Sequence, residues 1–315
     1  MLKVWITAGG TGSAWHICSV IKEYYKDEVE LFVGDINDEQ LVASSTLADH
    51  FFKVPLVKDE AYPEFMYEKL SSNGIDVIIP LIPWEQDFFS MDNPRFASLG
   101  IKSLASPIAT NQIFNDKIKL HDYCSDKGIP TIKIFGKDEI NPADTYFIKA
   151  LSGFGAAGAA MRKGEEITEK ELDSCVIQEY CVEPQGLNEI TVEVFNDDGK
   201  LFLCGRRRLE NKCGVCTKAE FVETTDVRPY IEQMVGDYEF PPVFNVQFVH
   251  HDGVWKVMDV NLRLAAGTGL SNAVGFQLIR ALFNKLLGKE FDETLLSVDS
   301  TVKTVIRVYE EVVIR

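Results

Sequence analysis

In Val257-Met258-Asp259-Val260-Asn261-Leu262-Arg263 the polar residues fall at every second position, so an extended strand projects them from one face. A three-residue turn pairing His250 with Val254 would set Gln247 opposite Val257, on the same face as Asp259 and Asn261. Three oxygen donors then converge. Hard oxygen ligands, completed by phosphates and water, suit Mg²⁺, with Mn²⁺ as the alternative ion. A bulge, or a turn one residue different, would reverse the face. A half-exposed strand that binds nothing also alternates polar with apolar residues.

Two other stretches could hold an anion. Phe147-Ile148-Lys149-Ala150 ends a strand and runs into Leu151-Ser-Gly153-Phe-Gly155-Ala-Ala-Gly158, a lysine followed by a small-residue loop. Glycines allow close backbone approach to phosphate oxygens, and lysine adds a mobile charge. The order is not that of a P-loop, and a mobile hairpin with no ligand has the same composition. Gly205-Arg206-Arg207-Arg208 places Arg206 and Arg208 on one face of a strand, with Lys212 and Lys218 nearby. Arginine grips carboxylates and phosphates bidentately, although an exposed pair also serves as plain surface.

An earlier cluster, Ala8-Gly9-Gly10-Thr11-Gly12-Ser13-Ala14, lies between a strand and a helix, where backbone amides and the helix dipole attract anions. Its spacing departs from the Gly-x-Gly-x-x-Gly of dinucleotide folds, and Asp35 supports that reading only weakly. A tight turn needs glycine on steric grounds alone.

The elements that would position these residues follow from apolar periodicity. Strands are expected at Leu2 to Ala8, Glu30 to Gly34, Phe51 to Val54 and Asp76 to Leu81, with helices at Ala14 to Tyr25, Asp38 to Ala48 and Tyr62 to Ser72. That alternation predicts a doubly wound parallel sheet over residues 1–110. Helices at Ile108 to Phe114 and Asp116 to Lys127 then end at Gly128-Ile-Pro130. Strands at Tyr146 to Ala150, Ala159 to Arg162 and Val176 to Tyr180 surround the second glycine loop and complete a segment 111–182. Hairpins at Ile190 to Phe195 with Leu201 to Leu209, and Phe244 to His250 with Val254 to Val260, begin the segment 183–315. A helix from Asn272 to Leu287 and a strand from Thr301 to Tyr309 close it.

Composition narrows the function classes. The 315 residues, 46% hydrophobic and 25% charged, suffice for two or three packed units. A net charge of −16 argues against nucleic-acid binding, which relies on clustered Lys and Arg. Apolar runs such as Val77 to Pro83 fall short of the roughly 20 residues a membrane helix needs. The N-terminus lacks signal-peptide features, which predicts a cytoplasmic protein. Seven scattered cysteines read as reduced thiols, Cys213-Gly-Val-Cys216 has no second zinc-knuckle pair, and the five histidines form no metal pattern along the chain.

In this order, these residues resemble the ATP-grasp superfamily, especially its carbamoyl-phosphate synthase large-subunit-like and amino-acid-ligase-like members. The resemblance covers nearly the whole chain and implies an α/β doubly wound pre-ATP-grasp domain, then an α+β ATP-grasp fold with a small glycine-loop lid. Asn115-Asp116-Lys117 is similar to the family's Asp-Lys helix, which implies that Lys117 meets ATP phosphate. Lys149 is similar to the lid-strand lysine, with Gly153, Gly155 and Gly158 in the lid loop, although Ala150 stands where proline is usual. Gln178, Glu179 and Tyr180 resemble the hinge that reads adenine, and Glu189 the ribose-binding acid. Arg206, Arg208 and Lys218 resemble the residues around the transferred phosphate. Gln247, Asp259, Asn261 and Arg263 resemble the family's Gln and Glu-x-Asn-x-Arg, with aspartate in place of glutamate.

The resemblance therefore implies an ATP- and Mg²⁺-dependent ligase that activates a carboxylate as an acyl phosphate for attack by an amine, and leaves a homodimer open. A nucleotide-binding regulatory or scaffold protein without turnover is the alternative that Asp259 and Ala150 suggest. A nicotinamide oxidoreductase resting on Gly9 to Ala14 would leave the Gln247, Asp259 and Asn261 face unexplained.

Overall fold

The chain is described by a computed structural model that covers residues 1–150, 159–181, 188–212, 214–308 and 310–314. Five strands come first: β1 (Leu2–Ile6), β2 (Val29–Asp35), β3 (His50–Lys53), β4 (Val77–Ile79) and β5 (Lys102–Ser103). They pair in parallel in the order β3-β2-β1-β4-β5. Parallel pairing requires crossovers, and α1 (Gly12–Tyr24), α2 (Tyr62–Ser72), α3 (Pro83–Met91) and α4 (Asn93–Ser98) accompany the sheet. Thr11 caps α1 by accepting a hydrogen bond from the Ala14 amide.

The expected helix from Asp38 to Ala48 is instead a pair of 3₁₀ turns, Glu39–Leu41 and Ala43–Thr46, separated by Val42 in an extended conformation. The Ser45 and Thr46 hydroxyls donate to the carbonyls of Glu39 and Ala43, and such local bonds compete with a helical ladder. α3 and α4, absent from the periodicity reading, each open with a proline at the first turn.

Helices α5 (Ile108–Phe114) and α6 (Lys117–Asp126) lead away from this sheet. Asp116 caps α6, and Gly128, with φ of 68°, ends it by a left-handed turn. β6 (Thr145–Ala150), β7 (Ala160–Lys163) and β8 (Cys175–Glu179), with the short α7 (Glu169–Ser174), form a small antiparallel sheet ordered β7-β6-β8. Gly153, Gly155 and Gly158, the expected lid loop between β6 and β7, lie outside the described residues.

A six-stranded sheet follows, ordered β13-β12-β9-β10-β11-β14. Its strands are β9 (Glu189–Asp197), β10 (Lys200–Lys212), β11 (Val215–Val222), β12 (Val243–His251), β13 (Val254–Asn261) and β14 (Thr304–Ile306). Its helices are α8 (Arg228–Asp237), α9 (Thr268–Asn272) and α10 (Leu278–Leu286). The expected helix from Asn272 to Leu287 is thus broken: Gly275 takes a φ of 92° and turns the chain between α9 and α10. Of the expected strand from Thr301 to Tyr309, only Thr304–Ile306 pairs with β11, and Tyr309 lies outside the described residues.

One apolar cluster belongs to the first sheet, where Trp5, Phe32, Phe89 and Phe96 are buried with residues of α2. The opposite face of that sheet is shared. Ile17, Val20 and Ile21 of α1 pack in one cluster with Leu278, Leu282 and Phe283 of α10 and Phe195 of β9. A third cluster joins α6 and α8 to β9, β12 and β13 through Leu120, Ile231, Val192 and Phe248. The first sheet thus packs through α1 and α10 on the central strand β9 of the large sheet, and α6 and α8 pack on β9, β12 and β13.

Candidate active site

The polar face at β12 and β13 forms by a register different from the expected one. The turn holds two residues, Asp252 and Gly253, both with positive φ, and pairs His251 with Val254. That shift alone would turn Gln247 away from Asp259. A bulge at Met258 adds a second one-residue shift, so Gln247 comes to lie directly opposite Asp259, and Asn245 opposite Asn261. The two shifts cancel in face, and Gln247, Asp259 and Asn261 all line one cleft of about 840 Å³.

Asn245, which the sequence reading missed, lines the cleft too. It is buried, donates to the Arg263 carbonyl at 3.1 Å, and accepts from the Asn261 amide at 3.2 Å. Its position two residues before Gln247 was the available signal.

Lys117, Lys149, Glu189, Arg206, Arg208 and Arg263 line the same cleft. Among the described residues, no carboxylate lies within ion-pairing distance of Lys117 or Lys149. Lys149 Nζ instead sits 5.7 Å from the Phe147 ring centroid. Burial pulls the pKa of Arg263 down while Asp259 opposes it, and the guanidinium stays charged.

Arg206 is held more firmly. It is 2% exposed, its Nη1 lies 2.9 Å from Glu193 Oε2, and it donates to Ser271 Oγ at 2.6 Å. The Thr268 hydroxyl secures the other oxygen of Glu193 at 2.6 Å. Arg206 Nε is buried without a hydrogen-bond partner. A buried donor left unpaired is costly, and the surrounding contacts hold this one in place. Arg208 Nη1 reaches to 3.5 Å from Glu189, and its Nε donates to Asn211.

Four of the expected residues lie apart from the cleft lining. Lys218 projects from β11 to an ion pair with Glu210 at 2.8 Å, a pairing that also draws the Glu210 carboxyl down to about 2. Gln178 is buried in β8 with Oε1 unpartnered. Glu179 accepts from the Lys133 amide and from Lys256 Nζ, tying the small sheet to β13. Tyr180 follows, half-buried, at the exit from β8.

The first glycine turn is filled by the protein itself. The Gly10 amide donates to Asp35 Oδ2 at 2.7 Å, and a Cβ on Gly9 would meet Val33 Cγ1 at 2.4 Å. The steric reading therefore accounts for Gly9, and an internal carboxylate occupies the amide that a nucleotide would use. Glu85 of α3 is buried beside this turn, accepting from the Thr7 hydroxyl, and burial pushes its carboxyl up to about 7. The far wall of the cleft was also missed: Trp84, Asp87 and Met91, at helical spacing on α3, face it, with Asn111 of α5 and Asn115 just after it donating to Asp87.

A doubly wound sheet, a small lid-like sheet and a large antiparallel sheet flanking one cation-rich cleft define the ATP-grasp class. Residues 176–311 match the family described as ATP-grasp in the biosynthetic pathway with Ter operon, and residues 4–104 match the PylC-like N-terminal domain. The first match places residues 176–311 in an ATP-grasp family, and the fold of the chain agrees with it.

The carbamoyl phosphate synthase large chain of Methanocorpusculum labreanum is 26% identical over 250 residues, which cover 74% of this chain and 22% of that one. This chain therefore spans about a fifth of that relative's length. N5-carboxyaminoimidazole synthetase from Staphylococcus aureus, solved with ADP, superposes with a TM-score of 0.68 at 12% identity, covering 92% of this chain and 78% of that one. Biotin carboxylase from Campylobacter jejuni gives 0.69 at 16%, covering 96% and 74%. At those identities the likeness is one of fold. No helix among the described residues is long and apolar enough to cross a membrane.

Proposed function

We propose that the chain is an ATP- and Mg²⁺-dependent ligase that phosphorylates a carboxylate and passes the acyl group to an amine, releasing ADP. The observation that carries this reading is one cleft lined by three oxygen donors, Gln247, Asp259 and Asn261, and by two lysines without carboxylate partners among the described residues. The donor set fits a hard ion, and Lys117 and Lys149 fit the phosphates. When bound, Mg²⁺ supplies neutralisation of phosphate charge. Asp259 reaches about one methylene less far than glutamate, and its partner across the ladder, Gln247, completes the donor pair.

The protein residues mainly position and neutralise, as phosphoryl transfer requires. Lys117 and Lys149 would hold the phosphates, Glu189 the ribose, and Gln178 with the Glu179–Tyr180 backbone the base. Arg206, fixed by Glu193 and Ser271, would set its positive charge beside the transferring phosphoryl or the carboxylate, with Arg208 and Arg263 beside it. Lys218 is engaged by Glu210 and would act there only after that pair opens.

Support comes from ADP release screened over carboxylates and amines, singly and in pairs, with Mg²⁺. The reading fails if Asp259→Ala keeps full turnover with a productive pair. Aspartate in place of glutamate favours one other reading, a nucleotide-binding regulator without turnover. Calorimetric ATP binding with no ADP formed across that screen would select it.

A further inference from the structure

β8 leaves the small sheet at Glu179, and Cys181, two residues on, packs with Ile132 and Val249 over the end of the β12–β13 hairpin. His251 occupies the last position of β12, on the same strand face as Val249. We propose that Glu179, Cys181 and His251 bind one thiophilic divalent ion, Zn²⁺ or Cd²⁺, between the lid sheet and the core hairpin. A carboxylate oxygen, a thiol sulfur and a ring nitrogen from the three lie within 4.8 Å of one another. Around a tetrahedral ion with bonds of about 2.0–2.3 Å, neighbouring donors stand roughly 3.5 Å apart, so rotamer adjustments of about 1 Å close the set.

The local bonding leaves these donors available. The Lys133 amide and Lys256 Nζ both contact Oε1 of Glu179, which leaves Oε2 to face an ion. Cys181 makes only a long contact, 3.8 Å, to the Glu179 carbonyl. His251 approaches Asp252 at 3.5 Å and is partly open to solvent, which provides the entry path. Three protein donors leave a fourth position for water, the pattern of an open site.

Binding replaces the S–H bond of Cys181 by a sulfur–metal bond and releases the proton to solvent. The sulfur is buried beside Ile132 and Val249, a setting that suits an ion with strong sulfur affinity. Lys256 and Asp252 are the charged neighbours, and their opposite signs offset. Sulfur and imidazole donors discriminate against Mg²⁺, so this site is chemically separate from the oxygen face of the cleft. An occupied site would brace the exit of β8 against the hairpin that carries Gln247 and Asp259. Nothing here depends on the nucleotide chemistry.

The test uses the full chain without nucleotide, titrated with Co²⁺ and with Cd²⁺ under reducing conditions, and read by thiolate-to-metal charge-transfer absorbance. The expected result is one ion per chain, a band displaced by Zn²⁺ and untouched by excess Mg²⁺. Cys181→Ser should abolish the band while the other cysteines remain. His251→Gln, at a partly exposed turn position, should keep the fold and weaken binding beyond the roughly 100-fold seen for outer partners of metal sites. No band with the unaltered chain, a band that survives Cys181→Ser, or equal affinity in His251→Gln would overturn the assignment. Should Cys181→Ser fail to fold, His251→Gln and Glu179→Gln decide the matter.

Discussion

Replacing Gly267 by alanine tests whether the placement of Arg206 governs turnover. Gly267 has φ of −88° and ψ of −1°, a conformation open to any residue, so the substitution brings no backbone strain. Its new Cβ would lie 2.5 Å from Arg206 Nη2 and 2.6 Å from Cζ, against an ordinary contact of about 3.5 Å. The guanidinium must therefore retreat by about 1 Å, and it is pinned behind by Glu193 at 2.9 Å and Ser271 at 2.6 Å. Overpacking of this kind costs about 1–3 kcal/mol, and the loss rises to about 3–5 kcal/mol if Glu193 is left as an uncompensated buried charge. A misplacement of about 1 Å in a reacting constellation lowers the rate roughly 100-fold. Urea unfolding, Mg²⁺-nucleotide affinity and ADP release with a productive substrate pair would be measured together. The expected pattern is lower stability, nucleotide affinity within a few-fold of wild type, and turnover reduced by about two orders of magnitude. Gly236→Ala is the control, since its Cβ position meets nothing within 4 Å beyond the backbone of its own helix, α8. Wild-type stability and turnover in Gly267→Ala would refute the claim that Arg206 is locked in place by its surroundings.

Glu85→Gln should change how stability depends on pH. The folded carboxyl, raised from 4.5 to about 7, binds its proton more tightly than the unfolded one, so wild-type stability falls as pH rises between those values, by roughly 2–3 kcal/mol from pH 5 to 8. The variant should lack that decline, and a stability difference from wild type that is flat across this range would count against the buried acid. Lys149→Ala should weaken nucleotide binding about 10- to 100-fold through loss of one charged contact, as read by calorimetry, with unfolding unchanged. Inserting one glycine between Asp252 and Gly253 should turn Gln247 to the opposite face from Asp259 and abolish Mg²⁺-dependent nucleotide binding, as read by calorimetry.

Strong local patterns were readable in the chain. The alternation of β1, α1 and β2, the helix expected from Asp116 and the turn at Gly128 all follow from nearest neighbours, and the structure places them within a residue or two of expectation. The helix expected near Asp38 failed because serine and threonine hydroxyls satisfied the backbone locally, an alternative that periodicity does not weigh. The β12–β13 strand pair illustrates a different limit. Side-chain parity along β13 was legible, whereas the turn length and the bulge were not, and two one-residue discrepancies happened to restore the same face. Lys218 was drawn toward the site by its position in the order of motifs, but strand pairing with Glu210 across β10 decides where its charge goes. Glu179, Cys181 and His251 come together only in three dimensions, and no spacing along the chain could have signalled it.

The apolar layer shared by α1 and α10 has a consequence for how such a protein can be rearranged. Cutting after residue 110 would strip Ile17, Val20 and Ile21 of their cover and leave an oily strip on each fragment. The leading α/β unit is thus a welded half rather than an exchangeable cassette: a chimera carrying a foreign N-terminal unit would aggregate unless the partner helix near its C-terminus were transplanted with it.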